Sequence, residues 1–151
     1  MFVDIFFLSI ETELIMLIRI LLSTMMGFLI GLQRSKTKHN NTILRTHIFI
    51  CIGSCLIAIT GEYLLLKGLS IDITRLAAQV ISGIGFIGMG VIMKTKENHV
   101  SGLTTATTIW VAGCIGIATG FGIYLPSIIT TLLVLIFLVT IKEKNENEIH
   151  K

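Results

Sequence analysis

Five apolar runs dominate the sequence: Ile15–Leu32, Ile48–Leu66, Leu76–Met93, Thr105–Tyr124 and Pro126–Ile141. A helix that crosses the hydrocarbon core of a bilayer needs about 20 predominantly apolar residues, within a range of roughly 17 to 25. The first four runs meet that length and the fifth is slightly short. Composition points the same way, because only 14% of the 151 residues are charged and mean hydropathy is +0.88, where a soluble domain carries about 25% charged residues. The expected fold class is all-α: a polytopic membrane protein of five transmembrane helices over residues 15–141. An interfacial segment (1–14) precedes them and a charged cytoplasmic tail (142–151) follows.

The loops predict an orientation. Arg34, Lys36, Lys38, Arg45, Lys94, Lys96, Lys142, Lys144 and Lys151 gather at one set of helix ends, against Lys67 and Arg75 at the other. Lysine and arginine concentrate in cytoplasmic loops, so the amino end is expected outside and the tail inside. The acidic, apolar amino end lacks the basic start of a secretory signal. The basic first loop obeys the topology rule or attracts anionic lipid head groups. No stretch outside the runs is long enough for a soluble domain, and nucleic acid is not an expected partner.

The chain also resembles itself. GFLIGLQRSKTKHN (27–40) aligns with GFIGMGVIMKTKEN (85–98), and Leu44, Thr46, Ile50, Cys55, Thr60 and Gly61 then align with Leu103, Thr105, Ile109, Cys114, Thr119 and Gly120. This suggests a parallel repeat of helix hairpins 1–2 and 3–4 about an axis along the membrane normal. Chance similarity between apolar segments is the competing explanation.

The third run holds Gly83, Gly85, Gly88 and Gly90, with Gln79 upstream. Glycine costs a helix in water about 1 kcal/mol against alanine. In lipid, small residues let helix backbones approach closely. Small residues occur on several sides of this run, so it is expected in the middle of a bundle, with its glycines serving helix packing. At 100° per residue Gln79, Gly83, Phe86 and Gly90 share one face. An amide in hydrocarbon needs a partner: another helix, a water-filled cavity or a ligand.

Few other polar groups lie within the runs. Arg19 and Glu62 sit at similar depths, about one helical turn inside their spans, so an ion pair is expected; the alternative is that Glu62 takes a cation or proton from outside. Asp72 suits a helix N-cap. Alternatively Asp72, Arg75 and Gln79 form an outer vestibule, where Glu62 and Asp72 would be weak candidates for a metal, since magnesium favours one or two carboxylates plus retained waters. Threonines in TTATTIW (104–110) bond back to the preceding turn, or Thr104 and Thr108 form a polar inner gate. His39, His47 and His99 read as solvated inner-loop residues, with pH sensing as the alternative. Cys51, Cys55 and Cys114 read as small apolar residues at helix interfaces.

DITRLAAQVISGIGFIGMGVIM (72–93) and VSGLTTATTIWVAGCIGIATGFGIY (100–124), with IGLQR (30–34) and LRTH (44–47), resemble the MgtC/SapB family of membrane proteins over about residues 18–126. The resemblance implies a short form without the family's cytoplasmic carboxyl-terminal domain, in the bacterial cytoplasmic (inner) membrane. It implies a role in magnesium homeostasis, by Mg2+ transport or by acid and low-magnesium stress adaptation. The alternative is a non-transporting regulator that docks another membrane complex, such as the ATP synthase, through its glycine-rich helix. Two positions depart from the family pattern: Gln33 stands where relatives carry Glu, and Ser101 where they carry a basic residue. A mechanism that needs a carboxylate at the inner end of the first span is therefore in doubt here. No nucleophile–base pair, phosphate loop or metal cluster is visible, so a non-enzyme without a cofactor is expected, apart from Mg2+ itself. So few buried charges suit a lone transporter poorly; the expected partners are the lipid bilayer, further copies of the chain as a homo-oligomer, and a second membrane protein.

Overall fold

A computed structural model describes residues 2–38, 41–94 and 100–140. The chain forms five helices, α1 (Phe2–Lys38), α2 (Asn41–Leu66), α3 (Ile73–Val91), α4 (Leu103–Gly120) and α5 (Tyr124–Thr140). Four of them are long and apolar enough to cross a membrane, and α5 is a shorter apolar helix. Between α3 and α4 a minimal antiparallel pair, β1 (Met93–Lys94) and β2 (Val100–Ser101), matches Met93 with Ser101 and Lys94 with Val100. Helix α1 is continuous from Phe2, so residues 2–14 and the first run belong to one helix. The tail, His39, Lys96 and His99 lie outside the described residues.

The starts of α3, α4 and α5 have local causes. Asp72 caps α3: its Oδ1 accepts from the backbone N–H of Thr74 (3.0 Å) and Arg75 (3.1 Å) and from the Thr74 hydroxyl (2.6 Å). Two of the four donors left over at a helix start are thereby satisfied. Gly102 precedes α4 with φ +88°, and a Cβ there would run into the Val91 carbonyl oxygen. Only glycine meets both conditions without strain. Pro126 falls in the first turn of α5, where its missing N–H costs nothing.

The middle of the bundle is α4, and α3 lies at the rim, which corrects the expected arrangement. Within their spanning windows 61% of α4 is buried, against 11% of α3. The glycines that bring helices together are in α1 and α4. A Cβ on Gly27 would sit 2.9 Å from the His47 carbonyl oxygen, and one on Gly31 3.0 Å from that of Leu44, so α1 rides directly on the α2 backbone. A Cβ on Gly116 would sit 2.5 Å from the Cys51 carbonyl oxygen, and one on Gly120 2.6 Å from that of Cys55, so α4 also rides on the α2 backbone, further along the helix. Each pair is spaced Gly-x-x-x-Gly, which sets a bare groove along one helix face. Met26, Ile30, Cys51, Ala112 and Ile115 form the core at this crossing. Cys51 and Cys55 are free and buried there. Ser23 donates to the Cys51 carbonyl (2.9 Å) and the Cys51 thiol to that of Ala112 (3.0 Å).

Among the described residues only Gly88 of the α3 glycines has a packing neighbour, Ala106 at 3.6 Å from its would-be Cβ; Gly83, Gly85 and Gly90 have none within 4 Å. Helix α3 docks through one stripe. Ile73 and Leu76 cover Gly61, and Ile84 enters the space above Gly113. Gln79 lies about 140° around the helix from Ile84, and it is exposed rather than buried.

Candidate functional site

Two polar clusters interrupt the apolar bundle, one toward each end. The first is built on Arg19, whose Nη1 pairs with Glu62 Oε2 and also donates to the Gly120 carbonyl at 2.8 Å. Its Nε donates to the Tyr124 hydroxyl at 3.0 Å. One guanidinium thus joins α1, α2, the end of α4 and the start of α5. The Gly120 carbonyl is among the last four of α4, which lack partners within the helix, and a cation at a helix C-terminus is favoured by the dipole. Gly122, with φ +76°, makes the turn beneath, where a Cβ would come 3.2 Å from the guanidinium. Matching depth brought Arg19 and Glu62 together on the sequence. Gly120 and Tyr124, more than 100 residues from Arg19, carried no such sign.

Glu62 is thereby engaged, and Asp72 is occupied by its own helix start. Asp72 is held below the usual carboxylate range by the hydrogen bond from the Thr74 side chain and by the backbone N–H groups of Arg75 and Thr74. Arg75 and Gln79 are exposed on α3. Among the described residues no group of three or more His, Cys, Asp or Glu side chains is placed to hold a metal ion.

The second cluster lies near the connection from α1 to α2. Arg34 is 2% exposed, and its Nε donates to Thr105 Oγ1 at 3.2 Å. His47 is fully buried, with Nδ1 2.7 Å from the Ile43 carbonyl oxygen and Nε2 2.9 Å from Thr108 Oγ1. Ser35 is buried as well. Both Arg34 and His47 correct the sequence reading, which placed Arg34 in the basic first loop and read His47 as a solvated inner-loop residue. The helices run further than the apolar runs: α1 extends to Lys38 and α2 begins at Asn41, which carries these residues into the bundle. Thr105 and Thr108 are the buried threonines in the first two turns of α4, while Thr104 is half-buried. Thr107 and Thr108 bond back to the carbonyls of Thr104 and Thr105. Of the two departures from the family pattern, Gln33 is half-buried in α1 and Ser101 lies in β2.

A shallow apolar groove runs between α3 and α4, past Gly85, Gly88, Ala106 and Trp110. It adjoins the uncovered side of α3, where Phe86 and Met89 are exposed.

The family model described as the MgtC family matches residues 20–147. Protein SapB of Bacillus subtilis is 39% identical over 125 residues, covering 80% of this chain and 53% of that protein. The Escherichia coli K12 protein named "Putative magnesium transporter YhiD" is 41% identical over 127 residues, covering 79% of this chain and 58% of that one. Protein MgtC of Brucella abortus is 35% identical over 111 residues, covering 74% and 44%. The chain spans about half the length of the curated relatives it matches. No solved structure matches it.

Proposed function

Since the chain belongs to the MgtC family and is a multi-pass membrane protein by its apolar helices, we propose that it serves magnesium homeostasis in the bacterial cytoplasmic membrane. Its working unit in this reading is a homo-oligomer, and magnesium crosses between copies. The amino end faces out and the carboxyl end faces the cytoplasm. The protein is not an enzyme and holds no cofactor; Mg2+ is its cargo.

The observation that carries the magnesium part is the 41% identity to a relative named for magnesium transport. Geometry supports the oligomer. The contacts of α2 with α1 and α4 are closed by glycine-backbone packing, which leaves no room there for a hydrated cation. Among the described residues α3 leaves three of its glycines uncovered, Gly83, Gly85 and Gly90, and it presents Gln79 on the same outer side as Gly83, Phe86 and Gly90. An amide facing hydrocarbon is costly until it finds a partner, and small residues let one approach.

Magnesium uptake into liposomes that contain only the purified protein tests the reading. Flux above that of empty liposomes, reduced by Gln79→Leu, supports it. No flux from correctly inserted protein overturns transport, and a membrane protein that co-purifies in its place points to docking instead.

A further inference from the structure

We propose that His47 is a buried proton-binding site whose occupancy resets the hydrogen bonds joining α2 to α4, an inference independent of the magnesium reading. It follows from counting hydrogens. The Ile43 carbonyl can only accept, so the 2.7 Å contact requires a proton on Nδ1 of His47. In a neutral imidazole the other nitrogen is then an acceptor. The Thr108 hydroxyl, 2.9 Å from Nε2, must donate to it. Yet the same hydroxyl is also placed 3.0 Å from the Thr105 carbonyl oxygen, which likewise can only accept. One hydroxyl has one proton, so it cannot serve both.

The two demands define two states of one arrangement of heavy atoms. With His47 neutral, Thr108 donates to Nε2 and the Thr105 carbonyl keeps only its backbone partner. When Nε2 takes up one proton from water, it donates to Thr108 Oγ1, and the hydroxyl turns to the Thr105 carbonyl. No covalent bond between heavy atoms changes. The same turn of α4 also meets Arg34 of α1, whose Nε donates to Thr105 Oγ1, so proton uptake adds a second positive charge to a junction of α1, α2 and α4. Among the described residues Arg34 is the charged group facing this cluster from α1. Helix α4 contributes only the hydroxyls of Thr105 and Thr108, and the nearest titratable group along α2 on that side is Cys51, one turn on. His47 lies six residues from the start of α2, about 9 Å along the axis, within reach of water entering at that end.

The test uses the full chain in lipid nanodiscs, with 15N-labelled histidine and a 13C carbonyl label at threonine, followed by NMR from about pH 9 to pH 4. His47→Gln identifies the His47 signals. The expected result is a single Nδ1–H tautomer at high pH that becomes doubly protonated within the range, with the Thr105 carbonyl shift moving at the same midpoint. Thr108→Ser retains that coupled movement. In Thr108→Val the Thr105 carbonyl no longer follows His47. An Nε2–H tautomer, a His47 that stays neutral throughout, or a Thr105 carbonyl that follows pH equally in Thr108→Val would each overturn the proposal. Beyond that assignment the tautomer and titration readings need only the unsubstituted protein, so they stand even where a Thr108 variant does not fold.

Discussion

Arg19 of α1 and Glu62 of α2 form an ion pair that also fastens α4, because the same Nη1 donates to the Gly120 carbonyl at 2.8 Å. The two partners are therefore unequal. Arg19 is 13% exposed and has three partners; Glu62 is 35% exposed and has water as an alternative. Charge-assisted hydrogen bonds contribute about 1.5–3 kcal/mol each, and neutral ones about 1. Arg19→Gln is expected to lower stability by about 2–3 kcal/mol by these magnitudes. Glu62→Gln should cost about 1 kcal/mol after solvent screening. The charge swap, Arg19→Glu with Glu62→Arg, should stay below the parent protein, since a carboxylate at 19 cannot donate to Gly120. Thermal unfolding in detergent micelles reads all three, and equal losses for the two single changes would refute the unequal clamp.

The glycines divide into two groups with opposite expected responses. At Gly116 a Cβ would come 2.5 Å from the Cys51 carbonyl oxygen, and backbone cannot move aside cheaply. Gly116→Ala is expected to destabilise by about 1–3 kcal/mol, the usual cost of overpacking. At Gly83 nothing among the described residues lies within 4 Å, so Gly83→Ala gains helix propensity, up to about 1 kcal/mol. Gly83→Leu should leave the fold intact while weakening self-association. Stability in micelles and cross-linking in membranes check the two halves, and a Gly83→Leu protein that assembles normally would remove α3 from the contact.

Much of the architecture was legible because a membrane span announces itself by length. Five apolar runs became five helices, and equal depth matched Arg19 to Glu62. Which helix sits in the middle was not legible by the same route. Lipid and bundle core are both apolar, so hydrophobic periodicity cannot separate the side of α3 that faces Ala106 from the side that faces outward. Counting glycines favoured α3, when spacing was the better guide: Gly27/Gly31 and Gly116/Gly120 are four apart and all four are packed. Arg34 and His47 were hidden by helix ends that outrun the apolar runs. His47 meets Thr108 across 61 residues, a relation that no local pattern carries.

The start of α3 should depend on pH. In the folded chain Asp72 is held below its ordinary carboxylate range, chiefly by the Thr74 hydroxyl. A carboxyl whose folded pKa is lowered contributes stability that is fully present above its unfolded value and lost as pH falls through the folded one. Acidification below the usual carboxylate range is thus expected to loosen the first turn of α3, with the Thr74 and Arg75 amide shifts moving together. Asp72→Asn keeps an acceptor oxygen without the titration, so those shifts should stay flat over the same range. NMR of the two proteins across the acid range is the check, and movement in Asp72→Asn equal to that of the parent would assign it to another group.

Gly102 couples the connection between α3 and α4 to both helices. Its φ of +88° lies where side chains are strained, and the Val91 carbonyl oxygen occupies the place of a Cβ. Left-handed strain alone costs about 1–3 kcal/mol, and relief of the contact must push α3 away from α4. Gly102→Ala is therefore expected to lose more stability than Gly68→Ala, where φ is similar at +81° but the space beside the glycine is open. The comparison separates conformation from contact, because both variants carry the first cost and only one the second. Thermal unfolding of the two proteins side by side measures the difference, and equal losses would show that the Val91 contact gives way freely.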